Sequence, residues 1–306
     1  MKANSITLAL GLACLLITTA TLAAEQPRSG GSLTYGVETE PAPLNPQLNG
    51  QSKAEVTLRN VWESLLARRT DGSFVPWLAT GYEVSPDAKT YRFTLRPDVT
   101  FSNGEKLNSR AVAENFRQVQ DPKYCAGTSI CALSARIASV ETPDNDTVVI
   151  TLKEGYAPFL SFAAKLQILA PASWHSPQLK AGGKDIAGTG PFIIESYEKG
   201  QQLTLVRNPH YNWAPATAHH QGPAYLERVT YRFLPESSVR TGALLSGQLD
   251  VIEGISGNDA SEFKDSADFT YQHALNTGTP YSLFLNVDYG PTQDVRVRQA
   301  LLQGLD

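Results

Sequence analysis

Basic residues are too few and too scattered for a polyanion to hold this chain. No cluster of five or more occurs, and 26 Lys and Arg stand against 30 Asp and Glu, a net charge of −4 over 306 residues. Nucleic acid is therefore excluded as an expected partner. Charged residues as a whole are sparse, 18% against roughly 25% in an average soluble domain. The 42% hydrophobic share, with 12 Tyr, 11 Phe and 4 Trp, nevertheless excludes disorder and gives enough core for two domains or more, at roughly 150 residues each. Cysteine is rare, at three residues.

Long apolar runs are also missing. The longest, Ile6 to Leu16, is about 11 residues where a membrane span needs roughly 20. With Lys2 before it and small residues from Thr18 to Ala24 after it, the run reads as a signal peptide over residues 1–24, cut near Ala23 or Ala24. Cys14 invites a lipoprotein reading, but Gly11 stands where a lipobox places Leu. Cleavage leaves Cys125 and Cys131 in an oxidising compartment, where a small structural disulfide is expected; the spacing is not C-x-x-C and no His is near.

Catalytic signatures are absent. There is no G-x-S-x-G and no H-E-x-x-H, and Gly182-Gly183-Lys184 lacks the Ser or Thr of a phosphate loop. Ser261-Glu262-Phe263-Lys264 matches S-x-x-K, the one opening for a penicillin-binding type of serine hydrolase, but neither S-D-N nor K-T-G accompanies it. His210, His219 and His220 share a polar loop with Asn212 and Trp213, and adjacent side chains in extended backbone point apart. A solvated loop is expected there, and no metal, cofactor or catalysis is expected anywhere.

The remaining pattern is α/β. Ser32–Val37 reads as a strand and leads into Glu38-Thr39-Glu40, after which Pro41, Pro43 and Pro46 force an irregular loop. Apolar residues at three and four spacing predict a helix from Ala54 to Leu66. Tyr91, Phe93 and Leu95 alternate with Arg92, Thr94 and Arg96 in a half-wet strand, and Thr147 to Leu152 repeats the pattern. Ser109 is expected to cap a helix running to Gln118, and Ala157 to Leu169 to form a buried helix. Phe192–Tyr197 and Gln202–Arg207 form a hairpin, Val229–Phe233 and Leu249–Ile252 are strands, and Ser237–Leu245 is a helix closed by Gly247. Tyr281–Val287 is expected as a strand, and Val295 to Leu305 as a helix whose apolar stripe finds no cover before Asp306, which suggests a shortened protein.

Five stretches together carry a resemblance. They are the run from Leu78-Ala79-Thr80-Gly81-Tyr82 through Thr90-Tyr91-Arg92-Phe93-Thr94-Leu95-Arg96-Pro97 to Ser102-Asn103-Gly104; Gly188-Thr189-Gly190-Pro191-Phe192; Arg207-Asn208-Pro209-His210-Tyr211-Asn212-Trp213; Ser246-Gly247-Gln248-Leu249-Asp250; and Asp294-Val295-Arg296-Val297-Arg298-Gln299-Ala300. In this order they resemble the family 5 extracellular solute-binding proteins of bacterial ABC importers, which take dipeptides, oligopeptides or nickel. The resemblance implies a periplasmic-binding-protein-like fold of class II or cluster C, with mixed sheets, flanking helices and most of a second lobe missing. It places lobe I at 30–76 and 188–271, an inserted subdomain at 77–187, and a hinge strand with the start of lobe II at 272–306. It further implies a monomeric periplasmic receptor that catalyses nothing, holds a peptide or similar solute in an interlobe cleft and passes it to an inner-membrane permease; nickel, sugar or opine cargo is the alternative. Glu38, Thr39, Glu40 and Asn45 would face that cleft, with Tyr156 and Phe159 reaching it from the insertion and Asn286 from the hinge. Solvated acids at 38 and 40, core aromatics at 156 and 159, and a backbone-bonding Asn286 are the competing readings.

Overall fold

The computed structural model describes residues 27–125, 127–264, 266–274 and 282–304; the leader read at 1–24 lies outside them. In chain order the elements are β1 (Ser32–Val37), α1 (Ala54–Leu58), β2 (Leu66–Arg68), β3 (Phe74–Pro76), β4 (Ala79–Val84), β5 (Thr90–Leu95), α2 (Ser109–Gln118), α3 (Ser129–Ser134), β6 (Ile137–Glu141), β7 (Thr147–Leu152), α4 (Phe159–Lys165), β8 (Phe192–Glu198), β9 (Gln202–Arg207), β10 (Arg228–Phe233), α5 (Ser237–Leu245), β11 (Val251–Ile252), α6 (Ala260–Lys264) and α7 (Val295–Gln303). The contacts divide the chain into residues 1–256 and 257–306.

In the first unit two sheets carry the core. The alternation in β5 works as its sequence demands: Tyr91, Phe93 and Leu95 are buried while Arg92 and Thr94 are exposed. Across the antiparallel ladder Tyr91 faces Ile150 and Phe93 faces Val148, so the strand order β4-β5-β7-β6 gathers one apolar face. Phe116 of α2 and Phe159 and Phe162 of α4 cover that face, their rings 5.4 to 6.5 Å apart. Each such ring contributes roughly 1.5–3 kcal/mol on burial.

The other large sheet has the order β11-β1-β10-β9-β8. Here β1 runs parallel to both β10 and β11, whereas β10, β9 and β8 are antiparallel. Consequently the carboxyl ends of β1, β10 and β11 emerge at one edge, carrying Glu38, Leu234 and Glu253. Between the sheets the chain returns through Gly188 and Gly190, where a Cβ would stand 2.1 Å from the Val61 carbonyl and 2.4 Å from that of Asn60. Only glycine permits that approach.

Several expectations are corrected. The helix read over Ala54–Leu66 ends at Leu58: Val56 is 54% exposed, and Val61, Trp62, Leu65 and Leu66 are buried because the chain dives between the sheets, not because they share a helix face. The helix read over Ala157–Leu169 likewise ends at Lys165, and 166–170 continue as buried extended chain, with the Ile168 N–H donating to the Glu63 carbonyl at 2.8 Å. The cap of α2 is Asn108, whose Oδ1 accepts from the Ala111 N–H at 2.9 Å, while the Ser109 hydroxyl donates to the Asp144 carbonyl. Gly247, with φ +72°, closes α5 as expected.

In the second unit, α6 buries Phe263 against Phe269, ring centroids 5.2 Å apart. Residues 283–287 form no strand: no neighbouring ladder is offered to them among the described residues, and Phe284 is 89% exposed. Tyr281, the start of that expected strand, lies outside the described residues. Asp294 caps α7 through the Arg296 N–H at 2.8 Å, and the helix stops at Gln303 with Gly304 as its C-cap; Leu305 and Asp306, the expected end, lie outside the described residues.

Candidate functional site

In open sheets, ligands settle beyond the carboxyl ends of parallel strands, where backbone polar groups lack ladder partners. At that edge of β1, β10 and β11 the Glu38 N–H donates to Glu253 Oε1 at 3.3 Å, and the Glu38 carboxylate pairs with Lys53. The hydrogen bond from Lys53 holds the Glu38 carboxyl below its ordinary range, with smaller help from the charges of Lys53 and Arg240. Arg240 of α5 is 2% exposed. Its guanidinium donates to the carbonyls of Leu234, Pro235 (2.8 Å), Glu253 (2.9 Å) and Gly254 (2.7 Å), tying the ends of β10 and β11 together under Glu38.

Thr39 is half-buried between two acids that do different things. Glu38 faces Lys53, but Glu40 turns to the β8–β9 hairpin, where its Oε1 accepts from the Tyr197 hydroxyl and from the Gly200 N–H at 2.9 Å. The Tyr197 hydroxyl is accordingly raised well above the ordinary phenol range, by burial first and by Glu40 second.

Asn45 and Phe159, expected at a cleft, are both buried in the first unit. Asn45 is fully buried: its amide donates to the Tyr124 hydroxyl (3.0 Å) and the Leu179 carbonyl (2.6 Å), and its oxygen accepts from the Gln47 N–H (3.0 Å). That leaves no hydrogen for a ligand. It opens a buried chain in which Tyr124 donates to Gln47, Gln47 to Asn115 and to the Gln167 carbonyl, and Asn115 to the Leu169 carbonyl. Phe159 is 1% exposed, its ring centroid 4.7 Å from that of Tyr91. Tyr156 is half-buried beneath Arg136, whose guanidinium lies 4.2 Å from the ring centroid. Asn286 lies in the second unit, where its side chain accepts from the Asp288 N–H at 2.9 Å.

A residue that the sequence gave no reason to single out is Glu63, wholly buried. Its carboxylate accepts from Trp77 Nε1 (3.1 Å), the Tyr211 hydroxyl (2.6 Å), the Thr189 hydroxyl (2.8 Å) and Trp213 Nε1 (2.9 Å). Burial pushes its carboxyl up to about 8 against the pull of these four donors. Trp213 and Tyr211 belong to the stretch read as a polar loop, so its aromatic half is core. Its His220 packs on Tyr225, centroids 4.3 Å apart, and no group of three His, Cys, Asp or Glu is arranged to hold a metal among the described residues. The Ser261 hydroxyl donates to the Asn258 carbonyl at 3.2 Å, while the Lys264 ammonium lies 6.0 Å from the Tyr271 ring centroid.

Two cavities open on the face made by α1 and α4. The small one, about 20 Å³, is lined by Asn49, Gln51, Ser52, Ile130 and Gln167; the larger, about 550 Å³, lies against β2 and β3; Glu55 and Lys165 border both. Ile130 belongs to the loop that the structure closes with Cys125 and Cys131, Cα atoms 5.4 Å apart, and that Thr128 caps through the Cys131 N–H. Replacing both cysteines by serine should lower stability by roughly 2–3 kcal/mol, the loop-closure value for so short a ring. Thermal unfolding of the wild type with and without reductant measures it: an unchanged midpoint on reduction would mean the bridge carries no stability.

The model of the bacterial extracellular solute-binding proteins, family 5 Middle, matches residues 73–306. The nickel-binding periplasmic protein of Escherichia coli is 32% identical over 266 residues, 85% of this chain and 48% of that protein. A probable D,D-dipeptide-binding periplasmic protein of the same organism is 26% identical over 285 residues, 90% of this chain and 53% of its own length. The crystal structure of a dipeptide-binding protein from Pseudoalteromonas superposes with a TM-score of 0.76 at 22% identity, over 90% of this chain and 57% of that one, a likeness of fold. The chain thus spans about half the length of the curated relatives it matches. Mixed sheets with helices against them, the parallel-strand edge and the family match agree, and the chain belongs to the bacterial extracellular solute-binding proteins of family 5, a family of binders and not of enzymes.

Proposed function

We propose that this chain is the ligand-facing part of a periplasmic receptor that captures a peptide and hands it, unchanged, to an inner-membrane ABC permease. The observation that carries the reading is the family match from residue 73 to 306. In this reading residues 1–24 are a cleaved signal peptide, and Cys125 and Cys131 are oxidised in the periplasm. Lobe I comprises 30–76 and 188–271, and the insertion 77–187. Residues 272–306 begin the hinge and second lobe, and the receptor is monomeric.

Glu38 and Thr39, at the carboxyl end of β1, are the groups we assign to the cargo. A carboxylate kept ionised by Lys53 and half exposed suits an ammonium group, and exchanging Lys53 for that group conserves charge balance. Differential contact of this kind is what lets a ligand favour a closed receptor over an open one.

A second reading has a specific support: the nickel-binding relative, at 32%, is more alike than the dipeptide-binding one at 26%. Calorimetry on the chain separates them. Titration with a dipeptide panel and with a nickel–histidine chelate should give saturable heat for dipeptides and an affinity lowered at least tenfold in Glu38→Gln. Saturable heat for the chelate alone would overturn the peptide assignment.

A further inference from the structure

The larger cavity has a charge that neither the family nor the site above assigns. Four ionised side chains border it: Glu55, Arg59, Arg68 and Lys165. Two of them cancel, because Arg59 Nε donates to Glu55 Oε1 at 2.6 Å and its NH2 group also reaches the Ala164 carbonyl at 3.0 Å. That pair is held rigid, with the guanidinium 5.9 Å from the Trp77 ring centroid. Arg68 has no acidic partner within ion-pair distance among the described residues, and the Lys165 ammonium donates to a neutral group, the Ser129 hydroxyl, at 3.3 Å. The groove therefore holds two uncompensated positive charges on a chain whose net charge is −4.

Apart from Ser161 and Thr217, the uncharged lining is apolar. Trp77 is 9% exposed and fixed through its Nε1 to Glu63, and Phe74 stands half-buried beside it. A concave wall of low dielectric sharpens the field of the cations above it. A volume of about 550 Å³ falls within the range of small-molecule sites, roughly 300–1,000 Å³.

We infer that this groove binds the acidic part of the cargo: a small organic solute with two carboxylates, taken by Arg68 and Lys165, whose apolar portion lies on Phe74 and Trp77. The inference rests on the receptor reading above and narrows its cargo from peptides in general to anionic ones. Two carboxylates match two cations, and Glu55 and Arg59, paired with each other, do not compete for the ligand.

The test is calorimetry on the full chain with three dipeptides that share a C-terminal phenylalanine and differ in the charge of the first side chain, Asp-Phe, Ala-Phe and Lys-Phe, at about 50 mM and at about 500 mM salt. Asp-Phe should bind at least tenfold more tightly than Ala-Phe at low salt, and the advantage should shrink at high salt as screening shortens the reach of the cations. In the double variant R68A/K165A the advantage should vanish. In R68E/K165E it should invert in favour of Lys-Phe, a gain that a misfolded protein cannot produce. Equal affinity for Asp-Phe and Ala-Phe in the wild type, or an Asp-Phe preference surviving in both variants, overturns the inference and leaves the receptor reading intact. Failure of all three dipeptides to bind removes the peptide reading and the inference with it.

Discussion

Replacing Glu63 by alanine should cost the protein at least about 3 kcal/mol, because three buried donors lose their acceptor at once, Trp213 Nε1 keeping the Thr189 carbonyl at 2.9 Å, and each orphaned donor costs roughly 1–3 kcal/mol. Trp77, Thr189 and the neighbours Tyr211 and Trp213 come from three separate stretches, and the carboxylate between them is what they share. For a unit of this size about 1 kcal/mol moves the melting point by roughly 2–4 °C, so a fall of about 10 °C is expected. Circular dichroism on heating measures it. A fall under about 3 °C would show that the aromatic groups hold their places by packing alone.

The same residue sets a pH dependence whose sign is fixed by its burial. The Glu63 carboxyl is raised to about 8 in the fold, against roughly 4.3 in an unfolded chain. Over that window the folded state binds more protons than the unfolded one. Stability therefore falls as pH rises, by an upper bound of roughly 5 kcal/mol between pH 4 and 8. Glu63→Gln keeps the shape but does not ionise. At pH 5 it should be less stable than wild type by roughly 1–2 kcal/mol, since its NH2 group meets the Trp77 indole N–H donor to donor. By pH 8.5 the gap should close or reverse. Urea unfolding at both pH values decides it, and two parallel profiles would mean that Glu63 stays ionised throughout. Glu38, whose carboxyl is lowered, acts with the opposite sign, but its contribution is lost only below the ordinary carboxylate range, outside this window.

Glu63 also marks where the sequence stops being informative. Local periodicity suffices where one face is wet, as in β5 and in the β8–β9 hairpin. Around Trp62-Glu63-Ser64-Leu65 every residue is buried, and irregular chain between two sheets gives the same apolar count as a helix. The stretch 166–170 was misread for the same reason. The edge at Glu38 was legible because a strand ending in acids and prolines has few uses. Which acid faces outward was not, since the hydroxyl that takes Glu40 lies 157 residues away, at Tyr197. Asn45 looks no different from a ligand group until the three partners of its amide, two of them distant in sequence, are in place. Arg68 and Lys165 are unremarkable as sequence, and only the pairing of Glu55 with Arg59 reveals that they are left over.

Substituting Arg240 by methionine should loosen the edge that Glu38 stands on more than it changes any surface charge. The guanidinium is 2% exposed and meets four carbonyls, from Leu234 and Pro235 on one side and from Glu253 and Gly254 on the other. Methionine fills similar volume but leaves those acceptors without donors, at a cost of roughly 3–5 kcal/mol for removing a buried hydrogen-bonded charge. Lysine restores the charge but not the planar fork that spans both segments, so Arg240→Lys should recover less than half of the loss. Gly254, at φ +65°, would place a Cβ 3.0 Å from Glu38 Oε2 and 3.1 Å from the Arg240 NH2 group, so the carboxylate and the guanidinium share one small space. Movement of Arg240 therefore reaches Glu38, and Arg240→Met should weaken dipeptide binding about tenfold at temperatures where the variant is still fully folded. If the variant melts lower yet binds with unchanged affinity, Arg240 is a brace for the sheet alone, and the cargo does not meet the carboxyl end of β1.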